Sequence, residues 1–216
     1  MKRLPIAIAL LALTCTTGAF AQDDVDKVNG AIDVKNGERA GNLSTVNGGV
    51  RIAASGSAAK VTTVNGGVRL GEQARAASVQ TVNGGINLDE GAQVKEGVET
   101  VNGGIRLGKS ADVGGRAETV NGRIALEAAH IGGGIQTVGG DIEVGADSRV
   151  EGGILVKKPS GWSWGTQRKP RIVIGPHATV QGTLEFEREV ELFVSDSATI
   201  GAVKGATVQK FSGNQP

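Results

Sequence analysis

The chain has 216 residues and a formal net charge of +1, so its overall charge gives no attraction to nucleic acid or anionic membranes. Glycine supplies 35 residues, about twice its average usage, but no Gly-X-Y period is present and Val, Ile and Leu are plentiful, which excludes collagen and disorder. Four Phe, two Trp and no Tyr favour a narrow core of small aliphatic side chains.

The first 21 residues have the pattern of a signal peptide. Residues 2 and 3 are Lys-Arg, residues 6–13 form an apolar run, and residues 19–21, Ala-Phe-Ala, form a small-x-small cleavage site. The apolar run is too short to span a bilayer. We therefore predict export to the periplasm or cell surface of a Gram-negative bacterium.

Cleavage after residue 21 has two consequences for the mature chain. It removes Lys2 and Arg3, which takes the formal net charge from +1 to −1, and it removes Cys15, the only cysteine. The mature chain then has no disulfide and no thiol chemistry. The alternative is a lipid-modified Cys15. Residues 22–27 are predicted to be a flexible mature N-terminus.

A Thr-Val-Asn-Gly-Gly motif recurs through the first two thirds of the chain. Its asparagines are spaced by 18 or 19 residues, at Asn29, Asn47, Asn65, Asn83, Asn102 and Asn121. Such a period indicates a solenoid, in which each repeat is stabilised by stacking on its neighbours. A helix is excluded because Asn-Gly-Gly would break it every 18 residues.

Within each repeat, aliphatic residues recur every six positions. Three such hexads predict an all-β fold, a single-stranded parallel β-helix with about 18 residues and three short strands per coil. The predicted solenoid domain covers residues 28–211, and its handedness is left open. In one motif copy we expect Val64, Val68 and Leu70 to point inward and Asn65-Gly66 to form a corner with positive φ.

In-register stacking of the motif predicts two side-chain ladders. The asparagines form one along an edge of the solenoid, and the threonines two positions earlier form the other. The structural interpretation is that both ladders stabilise the fold. The alternative for the threonines is a surface-binding role.

One outward position of the repeat is largely basic. Arg51, Arg69 and Arg106 occupy it, with Asn87 between them. Stacked at about 5 Å, these side chains form a column that could hold an anionic polymer or serve as a solubilising surface. They are therefore candidate ligand-binding residues.

The hexads stop at residues 157–171, which we predict to be an excursion loop. Loops carry binding residues more often than regular elements do, and basic residues interleaved with indoles suit a membrane surface, a glycan or an anionic polymer. The alternative is that the indoles cover the solenoid flank. The candidate ligand-binding residues of the loop are Lys157, Lys158, Trp162, Trp164, Arg168, Lys169 and Arg171.

Hexads resume after the loop and include an alternating acidic stretch. Residues 184–192 read as one strand that carries Glu185, Glu187, Glu189 and Glu191 on one face. An acidic face so close to a basic loop predicts an intramolecular clasp, or protection of the solenoid edge. Residues 212–216 form a polar tail.

No catalytic or metal-binding motif is present. The two histidines, His130 and His177, lack a metal-ligand spacing, and His177 falls at a predicted corner. No Gly-x-Ser-x-Gly elbow or phosphate-binding loop occurs. We therefore expect no enzyme activity, no cofactor, no metal and no nucleic-acid partner.

The repeats of residues 28–144 resemble an adhesin family of exported bacterial β-strand repeat proteins, whose biochemical activity is not known. Residues 174–200, with their Ile-Gly-Pro-His-Ala-Thr-Val-Gln-Gly run, resemble the hexad coils of bactofilins, which form polymeric scaffolds, and also those of left-handed hexapeptide acyltransferases. The resemblance to the adhesin family implies a β-repeat fold at the cell envelope. It transfers no catalytic residue.

Together these features predict an exported, non-catalytic β-solenoid that acts as a binding, adhesin-like or scaffold module at the cell envelope. The expected partners are an anionic glycan, an envelope polymer or a membrane surface, and self-association is a further option. The alternatives are a β-helix enzyme that acts on polysaccharide and a polymer-forming, bactofilin-like scaffold.

Overall fold

The computed structural model describes residues 23–159 and 168–216. Within them the chain is all strand, and it forms a parallel β-solenoid of about ten turns with about 18 residues per turn. The predicted fold class is confirmed. The predicted signal peptide, Cys15, Trp162 and Trp164 lie outside the described residues.

Each full coil contributes to three faces, which we number in the order in which the chain passes through them. Face 1 is a ten-stranded parallel sheet with the strands Ile32–Val34, Val50–Ile52, Val68–Leu70, Ile86–Leu88, Ile105–Leu107, Ile124–Leu126, Ile142–Val144, Arg171–Ile174, Glu191–Ser195 and Val208–Phe211.

Faces 2 and 3 form a continuous sheet of sixteen strands because two long strands, Ser57–Asn65 and Arg75–Asn83, run through both faces. Face 2 adds Gln93–Val94, Asp112–Val113, His130–Ile131, Arg149–Val150, Thr179–Val180 and Thr199–Ile200. Face 3 adds Val25–Asn29, Leu43–Asn47, Val98–Asn102, Arg116–Asn121, Gly134–Thr137, Ile154–Val156, Leu184–Phe186 and Val203–Lys204.

The register repeats the same side chain in neighbouring coils. On face 1, Val50 pairs with Val68 and Ile105 pairs with Ile124. One step is longer: Ile142 pairs with Ile172, which is 30 positions away rather than 18 or 19. The inward residues of all three faces meet in one aliphatic core along the axis, as a narrow solenoid requires.

The corner between faces 3 and 1 is built from three repeated contacts. Thr63 is buried, and its hydroxyl donates a 2.8 Å hydrogen bond to the carbonyl oxygen of Gly48 in the preceding coil. The amide of Asn65 donates to Oδ1 of Asn47 at 2.9 Å. A Cβ at Gly66 would overlap the backbone of Gly48. The motif therefore joins each coil to the one before it.

Two details of this corner differ from expectation. Val64 is partly exposed and points outward, whereas Val61 and Thr63 point inward. The six-residue period fails here because strict alternation along the strand places the valine opposite the buried threonine. Gly66 has no positive φ; glycine is required instead by the close approach of the next backbone.

The other unusual corner follows face 1 and uses left-handed residues. Non-glycine residues adopt φ values from 45° to 57° there, a conformation that is strained for L-residues. The positions share no residue type, and they are Gly37, Ser55, Gln73, Gly91, Ser110, Ala128, Asp147 and His177. The prediction that His177 occupies a corner is confirmed.

Candidate functional site

The predicted arginine column lies on the outer surface of face 1. Arg51 pairs in register with Arg69, and Asn87 pairs with both Arg69 and Arg106. All three arginines are exposed. The sequence therefore placed this column on the correct face, because the middle residue of each three-residue strand points away from the core.

The same column continues with other residue types toward the C-terminus. In register order the outward side chains of face 1 are Asp33, Arg51, Arg69, Asn87, Arg106, Ala125, Glu143, Val173, Phe193 and Gln209. Ala125 is the smallest member, and it stands between two long side chains, Arg106 and Glu143. The short side chain of Ala125 therefore leaves a hollow at this coil.

This hollow has a volume of about 1030 Å³ and crosses the full width of face 1. Its floor contains Ala125 with glycine and alanine residues of the two flanking corners, such as Gly104 and Gly145. Arg106, Arg123 and other long side chains form its walls. The floor is therefore backbone and methyl groups, whereas the rim is charged.

Smaller depressions adjoin the hollow on both sides and share wall residues with it. Toward the N-terminus, Arg106 and Asn87 also line the next depression, of about 420 Å³, and Arg69 links this to another of about 380 Å³. Toward the C-terminus, Arg123 and Glu143 also line one of about 280 Å³. We call this connected series, from Asp33 to Gly175, the axial groove.

Three arginines of the groove are paired with carboxylates of a neighbouring coil. Nε of Arg69 lies 2.9 Å from Oδ2 of Asp89, and ion pairs join Arg106 to Glu127 and Arg123 to Glu143. The groove therefore presents donors and acceptors side by side. The largely basic column that the sequence predicted is therefore partly neutralised by these carboxylates.

Sequence reasoning missed several of the groove residues. Lys109, Arg123, Glu127 and Asp147 line the hollow, but none lies at the outward repeat position that attracted attention. They lie at the two corners that flank face 1. In the sequence they are marked only by their short distance before or after the face 1 strands. The pairs of Arg106 with Glu127 and of Arg123 with Glu143 were not predicted, because the partners are 21 and 20 positions apart in sequence.

The described ends of the basic excursion are held against the solenoid. Arg168 Nη2 lies 2.6 Å from Asp141 Oδ2, and Lys169 Nζ lies 2.8 Å from Glu189 Oε2. The backbone N–H of Lys158 donates to Glu187 at 3.0 Å. These contacts form the clasp that the alternation of charges suggested. The backbone N–H of Lys157 donates to the carbonyl of Thr137 at 2.8 Å, which continues the sheet.

Arg171 lies at the C-terminal end of the axial groove. It lies over the ring of Phe193, with its guanidinium carbon 5.1 Å from the ring centre, and it donates to the carbonyl of Pro216 at 3.3 Å. Asn214 and Gln215 line the same depression. Of the predicted ligand-binding residues, Arg51, Arg69, Arg106 and Arg171 therefore share one groove, whereas Lys158, Arg168 and Lys169 do not line it.

The clasp shifts the ionisation of its members. A hydrogen bond to Glu189, together with the negative charge of that group, raises the pKa of Lys169. The same contact lowers the pKa of Glu189 below its ordinary value of 4.5. For Arg168 the hydrogen bond to Asp141 and its charge raise the pKa. All three shifts favour the charged, paired state at neutral pH.

The acidic stretch is divided between two faces. Glu185 lies on the face 3 strand Leu184–Phe186, and Glu191 begins a face 1 strand. Residues 187–190 form the corner between them. The prediction of one continuous strand was wrong because the 18-residue coil needs a corner at this point, and the corner is what brings Glu187 and Glu189 to the clasp.

Another titratable cluster lies on face 2. His130 Nδ1 is 2.5 Å from Asp112, and its Nε2 is 3.5 Å from Glu151. Across residues 23–159 and 168–216, no group of three or more His, Cys, Asp or Glu side chains is arranged to hold a metal ion. The cluster lies on an open strand face rather than in the axial groove.

Comparisons with known proteins return no match: none of the family models fits the chain, and neither the curated proteins nor the solved structures resemble it at a significant level. In the part of the chain that the structure describes, no helix is both long and apolar enough to cross a membrane.

Proposed function

We propose that this chain is an exported, non-catalytic binding module of the cell envelope, adhesin-like in its role, and that it holds an elongated polymer in the axial groove. The β-solenoid supplies a rigid, repetitive surface, and the supporting observation is the hollow at Ala125 within a groove that is continuous along face 1.

The length of the groove favours a polymer over a small molecule. It passes from Asp33 to Val173 through eight register positions. At about 4.8 Å per coil, this distance is about 34 Å. A small ligand would use only one part of such a groove, whereas an extended chain can contact every coil.

The chemistry of the walls favours a glycan strand. Each Arg–carboxylate pair offers N–H donors beside carboxylate oxygens, and a sugar hydroxyl both donates and accepts hydrogen bonds. Because Arg69, Arg106 and Arg123 are already paired, a densely anionic polymer would have to displace internal carboxylates to bind them. A neutral or sparsely charged polysaccharide meets no such cost.

The test is binding of the purified chain to an array of envelope polysaccharides, followed by calorimetric titration of the strongest ligand. Ala125→Arg fills the hollow with the side chain that neighbouring coils carry, so we expect affinity to fall at least about tenfold. Thr199→Arg adds the same side chain to an exposed position on face 2 and should bind normally. Equal binding by wild type and Ala125→Arg would exclude the groove.

The same samples distinguish the two alternatives. Release of new reducing ends from the bound polysaccharide, abolished by Glu143→Gln, would indicate an enzyme. Sedimentation of the chain as long filaments in the absence of polysaccharide would indicate a polymer-forming scaffold. Binding without either result supports the proposed module.

A further inference from the structure

An outward column of valines runs along face 3. Most members lie between the buried threonine and the exposed asparagine of the motif, whereas Val28 follows Lys27 and Val138 precedes Gly139. The column consists of Val28, Val46, Val64, Val82, Val101, Val120 and Val138. Val28, Val46 and Val82 are 67%, 40% and 39% exposed. We call this set the valine column.

The neighbouring outward positions of the same coils are polar or charged instead. Two residues earlier on the same strands are Ser44, Thr62, Gln80, Glu99 and Glu118. Face 1 carries the charged groups of the axial groove in its outward position. A β-branched residue favours strand structure, but threonine would do so equally well and remain compatible with water. An uninterrupted apolar column on a solvated face therefore indicates a contact surface.

The column has a defined end. In the coil after Val138 the same position is held by Lys157, and in the following coil by Glu187. The guanidinium of Arg188 donates to the carbonyl of Val138 at 3.1 Å. Within the described residues the apolar surface thus covers seven coils, and charged groups replace it at its C-terminal end, as expected where an interface stops.

We infer that the valine column is the contact surface between two copies of this chain, packed face to face and antiparallel about a twofold axis at Val82. Val82 is the fourth of the seven valines, so this axis brings every valine of one copy onto a valine of the other. A twofold contact also buries the same patch on both copies and closes the assembly at two.

Charge complementarity selects the antiparallel arrangement. Lys60 is exposed at the corner one coil before Val82, whereas Glu96 and Glu99 lie one coil after it. The twofold axis places the Lys60 coil of one copy over the Glu99 coil of the other, twice per dimer. A parallel arrangement would superpose like coils and leave these opposite charges apart.

The size of the surface sets the strength of the contact. Six coil spacings of about 4.8 Å and a five-residue strand width give about 29 by 16 Å, or roughly 900 Å² buried in total. Stable specific interfaces bury about 1,200–2,000 Å², so the dimer should be weak and concentration-dependent. The axial grooves remain outside it, which gives a bivalent binder; the inference does not depend on what the groove binds.

Sedimentation velocity over a concentration series tests the contact. We expect a monomer–dimer equilibrium for the wild type and a rise of at least about tenfold in the dissociation constant for Val82→Lys. Asn87→Lys places the same charge on face 1 and should leave the dimer intact. Because both side chains point outward, circular dichroism should show unchanged folding. A wild type that stays monomeric, or a Val82→Lys dimer as tight as the wild type, overturns the inference.

Cysteine cross-linking tests the arrangement. In a Cys15→Ser background, Val82→Cys should form an intermolecular disulfide under mild oxidation because its two copies meet at the axis. A mixture of Val46→Cys and Val120→Cys chains should link to each other more than either links to itself. Asn87→Cys is the control for random collision. Linkage of Asn87→Cys as fast as Val82→Cys would overturn the proposed geometry.

Discussion

The side-chain amide of Asn83 donates a 2.9 Å hydrogen bond to Oδ1 of Asn65 in the coil before it. Asn102 donates in turn to Asn83 at 3.0 Å. The ladder therefore has a direction. Every interior asparagine is both donor and acceptor, whereas Asn29 only accepts, from Asn47, and Asn121 only donates, to Asn102.

This direction makes a prediction about aspartate substitutions. Asn83→Asp removes a donor and opposes two oxygens, so we expect it to lower the free energy of unfolding by about 0.5–1.5 kcal/mol. Asn29→Asp keeps the acceptor that Asn47 needs and should be near neutral. Chemical denaturation of both variants decides the matter, and equal losses would mean that added charge rather than ladder direction is responsible.

The orientation of the motif predicts opposite outcomes for two adjacent residues. Thr63→Val keeps the shape of a buried side chain but removes the donor to Gly48, which should cost about 1–3 kcal/mol. Val64→Lys points into solvent and should change stability by no more than about 0.5 kcal/mol. The comparison is made by thermal and chemical unfolding. A severe loss of stability in Val64→Lys together with little change in Thr63→Val would mean that the inward and outward assignments of these two side chains are reversed.

The left-handed corners predict a stabilising substitution. Ala128 has a φ of 45°, and Gly91, which occupies the same corner two coils earlier, has a φ of 66°. Ala128→Gly relieves a strain of about 1–2 kcal/mol against a smaller entropic cost, so we expect a slightly raised melting temperature. Gly91→Ala introduces the strain without a clash, since its Cβ would lie 3.5 Å from the Gln73 side chain. This variant should have a lower melting temperature. Shifts in the reverse directions would contradict the corner geometry.

The clasp predicts a dependence on pH. A carboxylate with a lowered pKa stabilises the folded contact above its ordinary value of 4.5 and loses this contribution as the pH falls through the lowered value. The raised pKa of Lys169 preserves the contact until strongly alkaline pH. Hydrogen exchange measured by mass spectrometry should show the backbone amides of Arg168, Lys169 and Arg171 losing protection in acid, while the strand Ile124–Leu126 stays protected. Glu189→Gln should be open at neutral pH already, and its continued protection would argue against the pair.

Periodicity explains why so much of the fold could be predicted. The recurrence of Asn65 after 18 residues fixes the coil length, and in-register stacking then dictates the ladder to Asn47 and the shared column of Arg51 and Arg69. These features can be predicted without information on any side-chain contact. They require only that equivalent residues lie above one another.

The inaccurate predictions concern choices that periodicity leaves open. Thr63 rather than Val64 faces inward, and there its hydroxyl donates a hydrogen bond to Gly48. Hydrophobicity alone would have placed the valine inside. The left-handed corners carry no common residue, as Ala128 and His177 illustrate. The hollow in the axial groove arises where Ala125 lacks a side chain that its neighbours possess, and a missing group gives little signal in a search for chemical motifs.

The spacing of the coils also determines how far apart in sequence contacting residues lie. Most partners, such as Val50 and Val68, are one coil apart, or about a twelfth of the chain, a locality comparable to that of helical bundles rather than of other all-β proteins. Formation of each coil needs only the preceding one as a template. A chain that emerges from one end can therefore fold progressively, with each completed turn becoming the growing edge for the next.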